Sequence, residues 1–265
     1  MAQQSGYVMA GAEAEAESIR LGALEANRDP GTTRRLDMIG VGPGWRCLEI
    51  GAGRGSIARW LSARVAPDGR VVAADLDCRF LTGMPENVEV RTLDIRNDDV
   101  EPDAFDLVHC RALLMHLPDP ALALGRMVAA LRPGGVLLVE EGDYGLLSYG
   151  GHPDAAWCTD LFHRRLAALA SARIMNGYLG RHLPRLLIDA GLELVGGEVD
   201  TAIVRAGDTG YEFHRLTAQS AAPRLIAAGL MTEDDAARVA ALLAHPSTVL
   251  TAPSVVAAWG RRPAR

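Results

Sequence analysis

The chain of 265 residues contains no lysine: all 27 of its basic side chains are arginine. A P-loop is therefore excluded, because its phosphate cradle needs a lysine. With alanine and glycine abundant, the bias reads as the base composition of a GC-rich bacterial genome. Cysteine is scarce. Cys47, Cys78, Cys110 and Cys158 are scattered with no CxxC pair, which points to reduced thiols rather than a disulfide frame or a zinc site. Positive charge is in deficit too, the net charge being −6, so nothing electrostatic suggests nucleic acid as a partner. No apolar run approaches the roughly 18 residues that span a bilayer. The first twenty residues lack a basic start followed by an apolar core, so no secretory signal is expected and a cytoplasmic protein is. There is no internal repeat, and the 49% hydrophobic and 23% charged content is that of an ordinary globular chain.

What is present alternates. Residues 12–27 read as a helix with acids near its positive end, followed by turns around "DPGTTRRLDMIGVGPG". "RCLEI" (46–50), "RVVAADLD" (70–77), "NVEVRTLDI" (87–95), "AFDLVHC" (104–110) and "VLLVEEGDY" (136–144) are apolar runs suited to buried strands. Helical patterns such as "SIARWLSARV" separate them, with Ile57, Trp60, Leu61 and Val65 on one face. The expected fold is α/β: a Rossmann-like, seven-stranded, mostly parallel sheet with helices on both faces and the last strand, "SVVAAWG" (254–260), antiparallel. Residues 1–34 are expected as a helical cap, 35–145 as the ligand-binding core, 146–178 and 205–246 as an inserted helical lid, and 179–204 and 247–265 as the rest of the sheet.

Between the first strand and its helix stands "GAGRG". Gly51, Gly53 and Gly55 there allow positive φ and a close approach of backbone to a ligand. A dinucleotide fingerprint would place glycine at the sixth position, which is Ser56 here. Glu49, just before the glycines, would repel a pyrophosphate and attract a cationic amino group. Asp75 ends the second strand, where an acid can accept from a ribose diol, and Asp94 ends the third, where one can accept from an adenine amine.

Taken with "VVAADLD", "TLDI", "FDLVHCRALLMHLPD" and "LRPGGVLLVEE", the stretch "LEIGAGRG" resembles the class I S-adenosylmethionine-dependent methyltransferases. The likeness is strong over residues 35–145 and weak beyond. It implies a methyl transfer from S-adenosylmethionine, leaving S-adenosylhomocysteine, to an O, N or C nucleophile of a small molecule, in secondary metabolism. It also implies roles for individual residues. Glu49 and the backbone of Gly51, Ala52 and Gly53 would hold the methionine end, with Cys110 and Arg111 beside it. Asp75 would take the ribose hydroxyls, Leu76 would pack on adenine, and Asp94 and Ile95 would read its edge. The leader "YVMAGAEAEAESIRL" is similar to that of bacterial ubiquinone/menaquinone methyltransferases, which makes Tyr7 and Arg20 contacts for the carboxylate.

His116, in "LLMHLPD", is the candidate catalytic base, with Arg111 as a second catalytic candidate. Glu141, Tyr144, His152, Trp157 and Tyr178 are candidates for acceptor binding. No ligand pair at metal spacing is evident, so no metal is expected. A homodimer is compatible with the sequence. The alternatives are a protein of this fold that binds the cofactor without transferring methyl, and a nicotinamide-dependent dehydrogenase.

Overall fold

The computed structural model describes residues 14–264. Ten strands occur in chain order: β1 (Arg46–Ile50), β2 (Arg70–Asp75), β3 (Val88–Thr92), β4 (Phe105–Arg111), β5 (Leu131–Asp143), β6 (Ser148–Gly150), β7 (Glu193–Asp200), β8 (Ile203–Arg205), β9 (Val249–Thr251) and β10 (Ser254–Arg261). The helices are α1 (Ala14–Ile39), α2 (Ser56–Val65), α3 (Pro120–Ala130), α4 (Ala155–Ser171), α5 (Leu183–Asp189), α6 (Thr209–Ala227) and α7 (Glu233–Ala244).

Seven strands form the main sheet, in the order β3-β2-β1-β4-β5-β10-β7. β1 to β5 are parallel, and β10 runs antiparallel to both β5 and β7. This is the expected architecture. The central strands are buried on both faces, which is why they read as unbroken apolar runs. Leu48, Val108, Cys110 and Val139 pack beneath α3 and α5 on one face. Cys47, Ala73, Leu107 and Leu138 meet Leu36 of α1 and Leu61 of α2 on the other. Strand order reverses between β1 and β4, so the carboxyl ends of the strands open a crevice there.

Two features depart from the expectation. The lid carries a second sheet, antiparallel in the order β6-β9-β8. Each of its strands is three residues long, too short to show an alternating pattern. With α4, α6 and α7 these strands enclose their own apolar cluster around Leu147, Leu161, Tyr211, Leu242 and Leu250. The two insertions therefore build one α/β cap.

The second departure is α1, which runs unbroken through Asp29-Pro30-Gly31 and past the expected boundary at residue 34. A proline inside a helix removes one hydrogen bond. Tertiary anchoring outweighs that loss: Thr32, Arg35 and Leu36 of the second half are all buried against the sheet.

Candidate active site

The glycine turn has the predicted conformation. Gly51 and Gly53 have φ of 76° and 58°, in the left-handed region that side chains disfavour. Among the described residues a Cβ at Gly53 would meet only Leu21, at 3.9 Å, so they leave that side of the turn open. Gly55 is left-handed too (φ 83°), and a Cβ there would in addition come within 2.9 Å of Leu81. The Asp75 carboxylate lies against the turn, accepting from the Gly53 N–H (2.8 Å) and the Asp77 N–H (3.0 Å). Burial raises its pKa, although these backbone donors oppose the rise. Next to it Leu76 is 49% exposed, an unusual position for leucine and a ready surface for a flat ring. Asp94 is held by Arg96 (2.8 Å) and by the Asn97 amide (3.0 Å), and the Arg96 guanidinium keeps its carboxyl below the usual range. The Ile95 side chain is buried, so only its backbone can face the crevice.

Glu49 requires a correction. Only 4% exposed, its carboxylate is taken up by His109, whose Nδ1 lies 2.7 Å away. It is therefore not the free negative charge that would draw a cationic amino group. His109 continues a chain of charge beneath the crevice, with its Nε2 3.3 Å from Glu140. Glu140 accepts in turn from Arg35 (2.6 Å) and Thr32 (2.5 Å). Arg35 also pairs with Glu198 and Asp200 at the end of β7, while Arg111 donates to Thr32 and Asp29, both at 2.9 Å. Burial alone would lower the His109 pKa. The charges of Glu49 and Glu140 and their hydrogen bonds outweigh it and raise the value to about 9. An imidazolium fits the geometry, since only that form donates from both ring nitrogens.

α1 turns polar groups inward at helical spacing: Glu17, Arg20, Thr32 and Arg35 are buried. Its first turns close over the glycine loop, where Arg54 donates to the Ser18 carbonyl at 3.2 Å and lies where a side chain on Gly22 would have to go. Arg20 is clasped by Glu17 through two hydrogen bonds, of 2.8 and 2.6 Å. Tyr7 lies outside the described residues. His116 stands in a short 3-10 turn, Leu114–His116, and burial together with the charge of Arg20 lowers its pKa to about 4. Tyr144 follows β5 and stacks on Phe162 with ring centres 5.9 Å apart. A cavity of about 210 Å³ opens between α1, β5 and the cap, lined among others by Arg28, Arg111, Glu140, Asp200 and Gly210.

Other candidates are engaged elsewhere. The Cys110 thiol is fully buried against Met127, on the sheet face opposite Glu49 and His109, so it cannot touch a ligand in the crevice. Glu141 is buried and accepts from the N–H groups of Leu113 (2.9 Å) and Leu114 (2.6 Å); it caps the turn that carries His116 instead of reaching an acceptor. His152 packs edge-on against His245, Trp157 is covered by Arg238, and Tyr178 lies under Arg181. Among the described residues no group of His, Cys, Asp and Glu is placed to hold a metal ion, and no helix is long and apolar enough to cross a membrane.

Sequence reasoning missed His109, Arg35, Thr32 and Arg28. Signals for them exist: a histidine inside an otherwise apolar strand, and charged residues of one helix spaced to share a face.

Comparison with known proteins places this geometry. A family model described as a methyltransferase domain matches residues 11–196. The ubiquinone/menaquinone biosynthesis C-methyltransferase of Ectopseudomonas mendocina is 30% identical over 183 residues, 60% of this chain and 70% of that protein. Methyltransferase str2 of Strobilurus tenacellus is 32% identical over 144 residues, 54% of this chain and 51% of that protein. Against the first such curated relatives the chain spans about half of their length. In fold it resembles the crystal structure named as a putative methyltransferase from Bacillus halodurans, with a TM-score of 0.59 over 87% of this chain and 98% of that one, at 16% identity. The glycine turn, the strand-end acid against it and the matched family model agree: the chain belongs to the methyltransferase-domain family and has the class I S-adenosylmethionine-dependent fold.

Proposed function

We propose that the chain transfers a methyl group from S-adenosylmethionine to a small molecule enclosed between the crevice and the cap, in secondary metabolism. One observation carries the reading: the open glycine turn, the Asp75 carboxylate and exposed Leu76 stand together at the carboxyl ends of β1 and β2. The fit is good. Asp75 can exchange its backbone donors for ribose hydroxyls, Leu76 can lie under the adenine, and the backbone of Gly51 to Gly53 can face the methionine end. When bound, the cofactor supplies an electrophilic methyl carbon.

The protein's own contribution is placement and dryness, which together can lower a barrier by up to about 7–11 kcal/mol. α1 shuts the glycine loop from above, and the cap closes the far side. His116 is neutral at pH 7 and can accept a proton, although a pKa of about 4 makes it a weak base. Catalysis therefore rests on alignment more than on base strength. A cavity of about 210 Å³ also suits a small acceptor better than a macromolecule.

Calorimetry with S-adenosylmethionine tests the reading, and no binding at millimolar ligand would end it. Replacing Asp75 by alanine removes charge-assisted hydrogen bonds of about 1.5–3 kcal/mol. Affinity should fall by roughly 10- to 150-fold while the melting curve keeps its shape.

A further inference from the structure

Two polar atoms on α6, His214 Nε2 and Thr217 Oγ1, are buried with no hydrogen-bond partner among the described residues. They stand one turn apart on a helix that packs against α1. On α1, Arg28 lines the cavity between the sheet and the cap, and its guanidinium makes no ion pair or hydrogen bond with any described residue. A charge so enclosed is costly unless something pairs with it. The other arginines of that wall are satisfied: Arg35 by Glu140, Glu198 and Asp200, Arg111 by Asp29. Among the described arginines lining the cavity, Arg28 is the one whose positive charge is unpaired. Its field reaches His214 on α6 and Tyr144 after β5, and Tyr144 also feels Arg20, the residue whose charge acts on His116. The same cavity is lined by Arg111, at the carboxyl end of β4, so the unpaired guanidinium opens toward the strand-end crevice.

We infer that the methyl acceptor carries a carboxylate and that Arg28, supported by His214, is its anchor. This rests on the methyl-transfer reading above. A guanidinium offers paired N–H donors that match the two oxygens of a carboxylate. A neutral acceptor would leave the charge unanswered. A phosphate dianion fits poorly, because one free cation faces it while Asp29, Glu140 and Asp200 stand nearby. His214, neutral through burial, can offer a ring N–H to the same anion.

The test uses three small probes titrated calorimetrically into the full-length protein, with and without S-adenosylhomocysteine: benzoate, benzamide and phenyl phosphate. Benzoate should bind at least about tenfold more tightly than either of the others, and Arg28→Gln should abolish that preference while S-adenosylhomocysteine binds as before. Thr217→Val and His214→Phe, which leave Arg28 in place, should weaken benzoate a few-fold and serve if Arg28→Gln fails to fold. Equal binding of benzoate and benzamide, or a benzoate preference untouched by Arg28→Gln, would overturn the inference. Tighter binding of phenyl phosphate would overturn it in favour of a phosphorylated acceptor. Failure of the wild-type protein to bind S-adenosylhomocysteine would instead sink the methyl-transfer reading, and the benzoate comparison stands apart from that outcome.

Discussion

His109 shows how a single buried side chain can tie a sheet together. It lies between carboxylates of β1 and β5 and is fully buried, so its charge is balanced only by them. The raised pKa has a consequence of definite sign. Stability contributed by the imidazolium is fully present below the ordinary histidine value near 6.5 and is lost as pH rises through about 9. Thermal melts of the wild-type chain should be flat to about pH 6, fall between about pH 6.5 and 9, and level off above. His109→Gln should be less stable at pH 7, by roughly 3–5 kcal/mol, because it leaves the buried Glu49 carboxylate without its counter-charge, whereas Glu140 keeps Arg35. It should also lose the alkaline slope. At this scale the sequence was partly readable. That an acid ends β2 beside a glycine turn could be read, since strand ends and glycines announce themselves locally; the structure sets the Asp75 carboxylate against that turn. The fates of Glu49, Cys110 and Glu141 were not. Whether an acid meets ligand, histidine or backbone is decided by which face its strand turns to a neighbour, and that requires the register between strands.

Among the elements, α1 departs most from its sequence. "DPG" is a strong turn signal, yet the helix passes through it because Thr32 and Arg35 reach Glu140, and Arg34 and Arg35 reach Glu198 on β7. The Thr33 hydroxyl helps locally, donating to the Asp29 carbonyl one turn back. If anchoring overrides propensity here, Pro30→Ala should restore the missing hydrogen bond without changing helix content. We expect a gain of about 2 kcal/mol, the roughly 3 kcal/mol of an interior proline reduced by the stiffness it lends the unfolded chain. Urea midpoints read this directly, and an unchanged or lower midpoint would show that α1 is strained for other reasons. Strands β1 to β5 were legible because burial on both faces makes each an unbroken apolar run. β6, β8 and β9 were not, because three residues carry no period.

For the molecule as a whole, the sheet and cap have separate cores, the cap's resting on short strands and on helices that also cover the chamber. Hydrogen exchange should reflect this difference. Amides of β1, β4 and β5 should exchange slowest, while those of the first turns of α1 and of α6 exchange faster and slow by at least several-fold when S-adenosylhomocysteine is added. Equal protection throughout, with no response to the ligand, would mean that α1 and the cap do not close over the site. Fold class was the most legible property of all, because alternating strands and helices over a hundred residues admit few arrangements. Acceptor identity was the least, since the residues facing the chamber come from α1, β5 and α6, far apart in the chain.

The cap's small sheet adds a constraint on how such a protein can change. Its strands come from three stretches, around residues 148, 204 and 250, and the middle one follows directly on β7 of the main sheet. No single exchanged segment could carry the cap into a sister protein. A transplant of acceptor preference would have to move all three stretches at once, and so new specificity is more readily reached by changing side chains on the chamber wall than by recombining whole pieces.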